Sequence, residues 1–391
     1  MRSVGAVLGI VLVLVMFSTL LIPTLTEEQE HGPDVRTSWE WDDYRPAGDI
    51  TTATGAIETV TIGEDTYLHA VGVGTARLVT SDGAVQTVRV GRAVLDLVLI
   101  DGQSNAAQNT QDLSLAPVPE RGTAYYFGSE TRYAEAGRIE SQEALDTALA
   151  NQLATWSFQP MVDDETGAVK VGDKAPGIAK AYTEATGHRI YIVDCAVPGS
   201  ALKLHDGVDR GYCWQWAEAV VGAAVDAVDA DLVELRYTGI DLWLQGESDA
   251  KRPTATYLGN WPLYYGPVTE GGLGIPVDHI VICLIADVTD ESGAVNAALR
   301  QIAEDYPKCS IGASAEDFTV DGGELSPDDG LHYTQIGDNI IAEEWGRSAA
   351  KIVLDDRDRP MAVVETIAGM VPLLVLVMVV LTCLGLAVRR R

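Results

Sequence analysis

Six histidines occur in this 391-residue chain, and one has an acid placed to use it. Asp329-Gly330-Leu331-His332 sets a carboxylate three residues before an imidazole, just ahead of a helical pattern beginning near Thr334. At that spacing Asp329 and His332 can share one turn. The carboxylate can then hold one ring nitrogen and fix the tautomer, leaving the other nitrogen as a general base. The other histidines, His31, His69, His188, His205 and His279, have no acid placed in this way before a helix. A base of this kind needs a nucleophile, and Ser104 suits the role. It lies in Leu99-Ile-Asp-Gly-Gln-Ser-Asn, directly after a strongly apolar run, where Gly102 allows a tight turn. Gly-x-Ser alone is ordinary turn chemistry, and Asp328 and Asp329 could merely cap a helix. Together the three residues make a serine nucleophile with a general base the stronger reading.

The elements that must position these residues alternate. Val94-Leu-Asp-Leu-Val-Leu-Ile reads as a strand buried on both faces. Helical spacing covers Pro176 to Thr186, Trp214 to Val228, Val295 to Tyr306 and Thr334 to Ala349. Strands are expected at Arg189-Ile-Tyr-Ile-Val, Ile240-Asp-Leu-Trp-Leu and His279-Ile-Val-Ile-Cys-Leu-Ile. Such alternation predicts an α/β fold of three layers, a parallel sheet between helices, with ligands beyond the carboxyl ends of the strands. Ahead of it, residues 51–92 alternate apolar and polar side chains around Ser81-Asp-Gly and predict a small antiparallel β module of three or four strands. Pro23 to Asp49, polar and acidic, reads as a linker.

Both termini are apolar. Val4 to Ile22 follows Arg2 and precedes Glu27, Glu28 and Glu30, as in a secretory signal or an uncleaved anchor. Leu20-Leu-Ile-Pro-Thr-Leu offers no small-x-small cleavage site, which favours the anchor. Ile367 to Val388 is long enough to span a bilayer and is closed by Arg389, Arg390 and Arg391, so that tail is expected in the cytoplasm and residues of roughly 25 to 365 outside it. The net charge of −30 sets nucleic acid aside as a partner, since it would repel phosphate backbones. Cys195, Cys213, Cys283 and Cys309 allow either disulfides or free buried thiols. No zinc-type spacing of Cys and His occurs.

Gly102-Gln-Ser-Asn, Trp243-Leu-Gln-Gly-Glu-Ser-Asp249 and Asp329-Gly-Leu-His, in that order, resemble the SGNH (GDSL-like) hydrolase superfamily. The likeness is to its sialate O-acetylesterase-like and plant-type carbohydrate acetylesterase branch, and it covers about Val94 to Ala350. The resemblance implies an SGNH or flavodoxin-like winding, with Ser104 as nucleophile, His332 as base and Asp329 as its orienting partner. It further implies an oxyanion hole from the N–H of Ser104, the N–H of Gly199 and the side-chain amide of Gln245. Gly199 is preceded by Pro198 where the family commonly has a glycine. The implied reaction removes an O-acetyl group from a carbohydrate through an acyl-enzyme, with no metal or organic cofactor. A surface carbohydrate-binding or envelope protein on the same fold is the alternative. Gln103, Asn105 and Glu247 are candidates for supporting the site. Glu247 could bind a sugar hydroxyl or hold the Gln103–Ser104 loop, and Trp243 and Asp249 read as structural. Lys203, His205, Trp214 and Trp216, in the loop after Gly199, are expected to line a sugar-sized pocket.

Overall fold

The computed structural model describes residues 39–107, 112–129, 138–288 and 292–357. Both apolar terminal runs, Val4 to Ile22 and Ile367 to Val388, lie outside them, and among the described residues no helix is long and apolar enough to cross a membrane.

The larger domain is built on a seven-stranded sheet. Its strands are β8 (Ala93–Gly102), β9 (Ala124–Gly128), β10 (Ser157–Pro160), β11 (Arg189–Asp194), β12 (Val233–Leu244), β13 (His279–Leu284) and β14 (Cys309–Ser314), in the order β10-β9-β11-β8-β12-β13-β14. Only the β10–β9 pair is antiparallel. The middle of this order, β11-β8-β12-β13-β14, is flavodoxin-like. The chain steps one way from β8 to β11 and the other way from β8 to β12, so right-handed crossovers place helices on both faces. The reversal falls at β8, whose end carries Ser104. From Leu95 to Ile100 every residue is buried, as the unbroken apolar run demands.

The helices are α1 (Gln142–Asn151), α2 (Ala175–Thr186), α3 (Tyr212–Asp226), α4 (Thr254–Thr269), α5 (Ser292–Asp305) and α6 (Gln335–Arg357). Sequence periodicity misses α4 because Pro262 and Pro267 lie inside it, and an internal proline removes a helical hydrogen bond. The helix forms nonetheless. Tyr257, Trp261, Tyr264 and Val268 recur at helical spacing and are all 2% exposed or less, a burial large enough to offset the breaks.

The N-terminal module is larger than its alternation suggests. It has a four-stranded sheet, β1-β7-β6-β3, and a three-stranded one, β2-β5-β4. The strands are β1 (Trp39–Glu40), β2 (Tyr44–Pro46), β3 (Ile50–Gly55), β4 (Ile57–Ile62), β5 (Asp65–Ala70), β6 (Gly74–Thr80) and β7 (Val85–Gly91). The expected linker therefore ends by Trp39, not Asp49. Trp39 is buried in the module's core with Ile57, Leu68, Leu78 and Val90, and Arg45 lies over its ring at 4.2 Å. The same stretch joins the module to the sheet domain. Tyr125 donates to Asp42 at 2.5 Å, and the Arg189 guanidinium reaches the Trp41 carbonyl and the Asp43 carboxylate.

Cys195, Cys213, Cys283 and Cys309 are free and buried. Burial pushes all four thiols up, that of Cys309 to about 12, so they are packing residues rather than redox groups.

Candidate active site

Ser104 sits on the turn leaving β8, and that turn requires glycine at 102. Gly102 has φ +134°, and a side chain there would bring its Cβ to 2.0 Å from the Leu244 carbonyl. The turn is held by Gln103, whose N–H donates to Leu244 O at 3.0 Å and whose carbonyl accepts from Ala106 and Ala107, both at 2.8 Å.

The loop entering α6 brings the base to this turn. His332 Nε2 stands 3.0 Å from Ser104 Oγ, and Nδ1 stands 2.6 Å from Asp329 Oδ2. The other oxygen, Asp329 Oδ1, accepts the N–H groups of Leu331 at 2.9 Å and His332 at 3.0 Å. Partial burial pushes the Asp329 carboxyl up, but the imidazole and the two backbone donors outweigh it, so it stays below the usual carboxylate range. An ionised Asp329 fixes a proton on Nδ1 and leaves Nε2 free to accept from Ser104. The three residues sequence reasoning singled out therefore form one hydrogen-bonded chain. The His332 side chain is 35% exposed, while Ser104 is 8% exposed.

Asn105 registers His332 against the serine. Its side-chain amide donates to Leu331 O at 3.2 Å and its Oδ1 accepts the Tyr333 N–H at 3.2 Å, so it grips the residues on either side of His332. The same amide donates to Glu247 Oε1 at 2.7 Å. Glu247 Oε2 is shut away from solvent without a hydrogen-bond partner among the described residues. Burial pushes its carboxyl up, while the Asn105 amide pulls it back. One Glu247 oxygen is thus held by Asn105, the residue after Ser104. Behind His332, Gln335 exchanges two 2.8 Å hydrogen bonds with the backbone of Asp173. Buried Lys174 pairs with Asp173 at 2.6 Å and Asp338 at 2.8 Å. This cluster, invisible to local patterning because its members are 162 residues apart in sequence, pins the first turn of α6.

The oxyanion donors divide. Gly199 has φ +70° and follows Pro198, and Ser200 N–H returns to Val197 O at 3.3 Å. Proline at the second position and positive φ at the third describe a type II turn, so the Pro198-Gly199 pair suits this backbone. Among the described residues neither the Ser104 N–H nor the Gly199 N–H has an internal acceptor. Gln245 is a correction. It is fully buried, and its amide nitrogen donates to Asp249 Oδ2 at 2.8 Å and lies 3.1 Å from Ser200 O and 3.3 Å from Gln103 Oε1. Both of its protons are engaged behind the site, so Gln245 braces the loops that carry Ser104 and Gly199 instead of facing an oxyanion. Gln103 is part of the same brace, its Oε1 also accepting the Ser248 N–H at 3.0 Å. Asp249 and Trp243 are buried and structural.

The expected pocket lining is also corrected. His205, Trp214 and Trp216 are 1%, 3% and 0% exposed: His205 packs against Trp243 and Tyr264, Trp214 against Tyr264, and Trp216 against Trp156. Only Lys203 of that set is exposed. The 3₁₀ turn Leu202–His205 turns the apolar residues inward, an orientation that loop position alone does not encode.

No family model and no curated protein matches the sequence. Solved structures similar to it include SGNH-type carbohydrate esterases, all at low identity. One is a protein from Arabidopsis thaliana, 19% identical with a TM-score of 0.41 over 66% of this chain and 98% of that one. A second is a carbohydrate acetylesterase from Xanthomonas citri, 14% identical with a TM-score of 0.41 over 81% of this chain and 72% of that one. A third is a family two carbohydrate esterase from Cellvibrio japonicus, 11% identical with a TM-score of 0.33 over 74% of this chain and 68% of that one.

Proposed function

We propose that the chain is a serine ester hydrolase that removes O-acetyl groups from a carbohydrate. The observation that carries the reaction type is the unbroken Ser104–His332–Asp329 hydrogen-bond chain, with the Ser104 and Gly199 N–H groups left without an acceptor among the described residues. Ser104 Oγ attacks the acetyl carbonyl and its proton passes to His332 Nε2. The oxygen that becomes negative is stabilised by the N–H groups of Ser104 and Gly199. The tetrahedral intermediate collapses, His332 returns the proton to the departing sugar oxygen, and an acetyl-serine remains. Water then loses a proton to His332, attacks the acetyl carbonyl and releases acetate with Ser104 restored. Ionised Asp329 stabilises the imidazolium that forms in each half.

The carbohydrate acetyl ester as substrate rests on the motif resemblance. In the same reading the apolar ends tether the domain to the outer side of a membrane. The test is acetate release from a chromogenic acetyl ester and from acetylated glycans, with Ser104→Ala as control. Release that disappears in the variant supports the serine mechanism. A folded protein that releases nothing from either class sinks it and favours a carbohydrate-binding role.

A further inference from the structure

Behind the Gly199 turn lies a second Ser–His–Asp array. Ser200 Oγ is 2.8 Å from His205 Nε2, and His205 Nδ1 faces Asp101 Oδ1 at 3.5 Å. The three residues are 2%, 1% and 1% exposed, so no substrate reaches them and Ser200 is no nucleophile. The neighbours set the protonation. Among the described residues Nδ1 makes no hydrogen bond, but the Asp101 carboxylate 3.5 Å away attracts an N–H and repels a lone pair, which favours the tautomer with the proton on Nδ1 and Nε2 accepting from Ser200. The ring plane is held by Trp243 and Tyr264, which meet it edge-on at 5.2 Å and 6.3 Å.

The array joins the two loops that present the proposed oxyanion donors. Asp101 Oδ1 accepts the Gly102 N–H at 2.6 Å, two residues before Ser104. Ser200 closes the turn that carries Gly199, and the Val197 N–H of that turn donates to Gly102 O at 3.0 Å. His205 ends the 3₁₀ turn whose Leu202 N–H is anchored on Asp249 at 2.7 Å. Remove the imidazole and the Gly199 turn keeps its backbone link to Gly102 and the long 3.4 Å contact of Ser200 Oγ with Gly102 O, but loses its 2.8 Å hydrogen bond to the ring that faces Asp101.

We infer that His205 is a positioning residue which, through Ser200 and Asp101, holds the Gly199 N–H at the place where charge develops on the carbonyl oxygen. The inference rests on the serine-hydrolase reading and adds a residue to it. Because the donor acts on charge present only in the transition state, the loss falls on kcat and leaves KM in place.

The test uses the full-length chain with a chromogenic acetyl ester and four variants: Ser104→Ala, Ser200→Ala, His205→Leu and His205→Gln. Ser200→Ala and His205→Leu are expected to lower kcat roughly ten- to a hundredfold with KM within about twofold, less than the loss typical of deleting a donor outright. His205→Gln, which can still accept from Ser200 and donate toward Asp101, recovers much of that loss. Should His205→Leu fail to fold by thermal melt, Ser200→Ala, which deletes one oxygen, decides alone. A Ser200→Ala enzyme with wild-type kcat, or a His205→Gln no better than a folded His205→Leu, overturns the inference while an inactive Ser104→Ala leaves the serine mechanism standing. If Ser104→Ala retains turnover, the mechanism falls and the inference falls with it.

Discussion

The chain places Ser, His and Asp in line twice, and the copies differ in where they lie and in how they are joined: the outer one is hydrogen-bonded throughout, whereas in the inner one only the Ser200–His205 link is a hydrogen bond and Asp101 stands 3.5 Å from the ring. In the outer one Ser104, His332 and Asp329 converge from two loops at the mouth of the sheet, and the His332 and Asp329 side chains are 35% and 42% exposed. In the inner one Ser200, His205 and Asp101 are sealed beneath the Gly199 turn. The outer carboxylate has two backbone N–H donors besides the imidazole and sits below its usual range. The inner one lies in a field of other carboxyls: Tyr264 donates to Asp101 at 3.1 Å and to Asp241 at 2.6 Å, and burial holds the Asp241 carboxyl well up. The same three residue types thus make a candidate reaction centre where the base and its acid are partly exposed and the serine is 8% exposed, and a buried cluster where all three are at 2% or less. Types and spacing nominate chemistry; access decides it.

The largest expected effect separates the two arrays. Ser104→Ala should lower kcat by at least about 10⁴-fold in a stopped acetate assay, against the ten- to hundredfold expected for Ser200→Ala. Equal losses would erase the distinction drawn between nucleophile and brace. Next is Asp329→Asn, which leaves the shape but removes the charge that fixes the His332 tautomer. A fall of roughly 10³- to 10⁴-fold in kcat is expected, and a loss under tenfold would show that Asn105 and the backbone orient the ring without help.

A pH profile sharpens the outer array. Because Asp329 ionises below the usual carboxylate range, it should add no second proton to the acid limb of kcat/KM, which is expected to fall with the slope of one proton. A two-proton slope would mean that Asp329 titrates in the same window.

The smallest effect is on stability and belongs to the inner side. Burial raises the Asp194 carboxyl, at the end of β11, to about 8, with the Asp101 charge adding to the rise. A folded-state value above the unfolded value near 4 contributes stability that is full below about pH 4 and is lost as pH climbs toward 8. Asp194→Asn should therefore be more stable than wild type at pH 8, with the gap closing near pH 4 in thermal melts. A gap independent of pH would assign the change to packing.

Much of the sheet domain was legible because its strands are buried on both faces and leave unbroken apolar runs; β8, β11, β12 and β13 all show this. Helix α4 was not, since Pro262 and Pro267 argue against a helix that tertiary burial of Tyr257, Trp261 and Tyr264 stabilises. The module's extra strands were hidden in a stretch whose acidity resembles a linker, although Trp39 and Asp42 there are anchors.

Of the site, the sequence by itself determined the nucleophile, the base and its acid as candidates, because Asp329 and His332 interact within one turn and Ser104 follows a recognisable strand. The conformational need for glycine at 102 was legible for the same local reason. Tertiary structure alone decided that Gln245 turns inward to Asp249, that His205 is sealed from solvent, and that Asn105 grips both neighbours of His332. Those outcomes depend on partners between 4 and 228 residues away and on which face each loop buries, and burial is a property of the packed chain, not of any local run of residues.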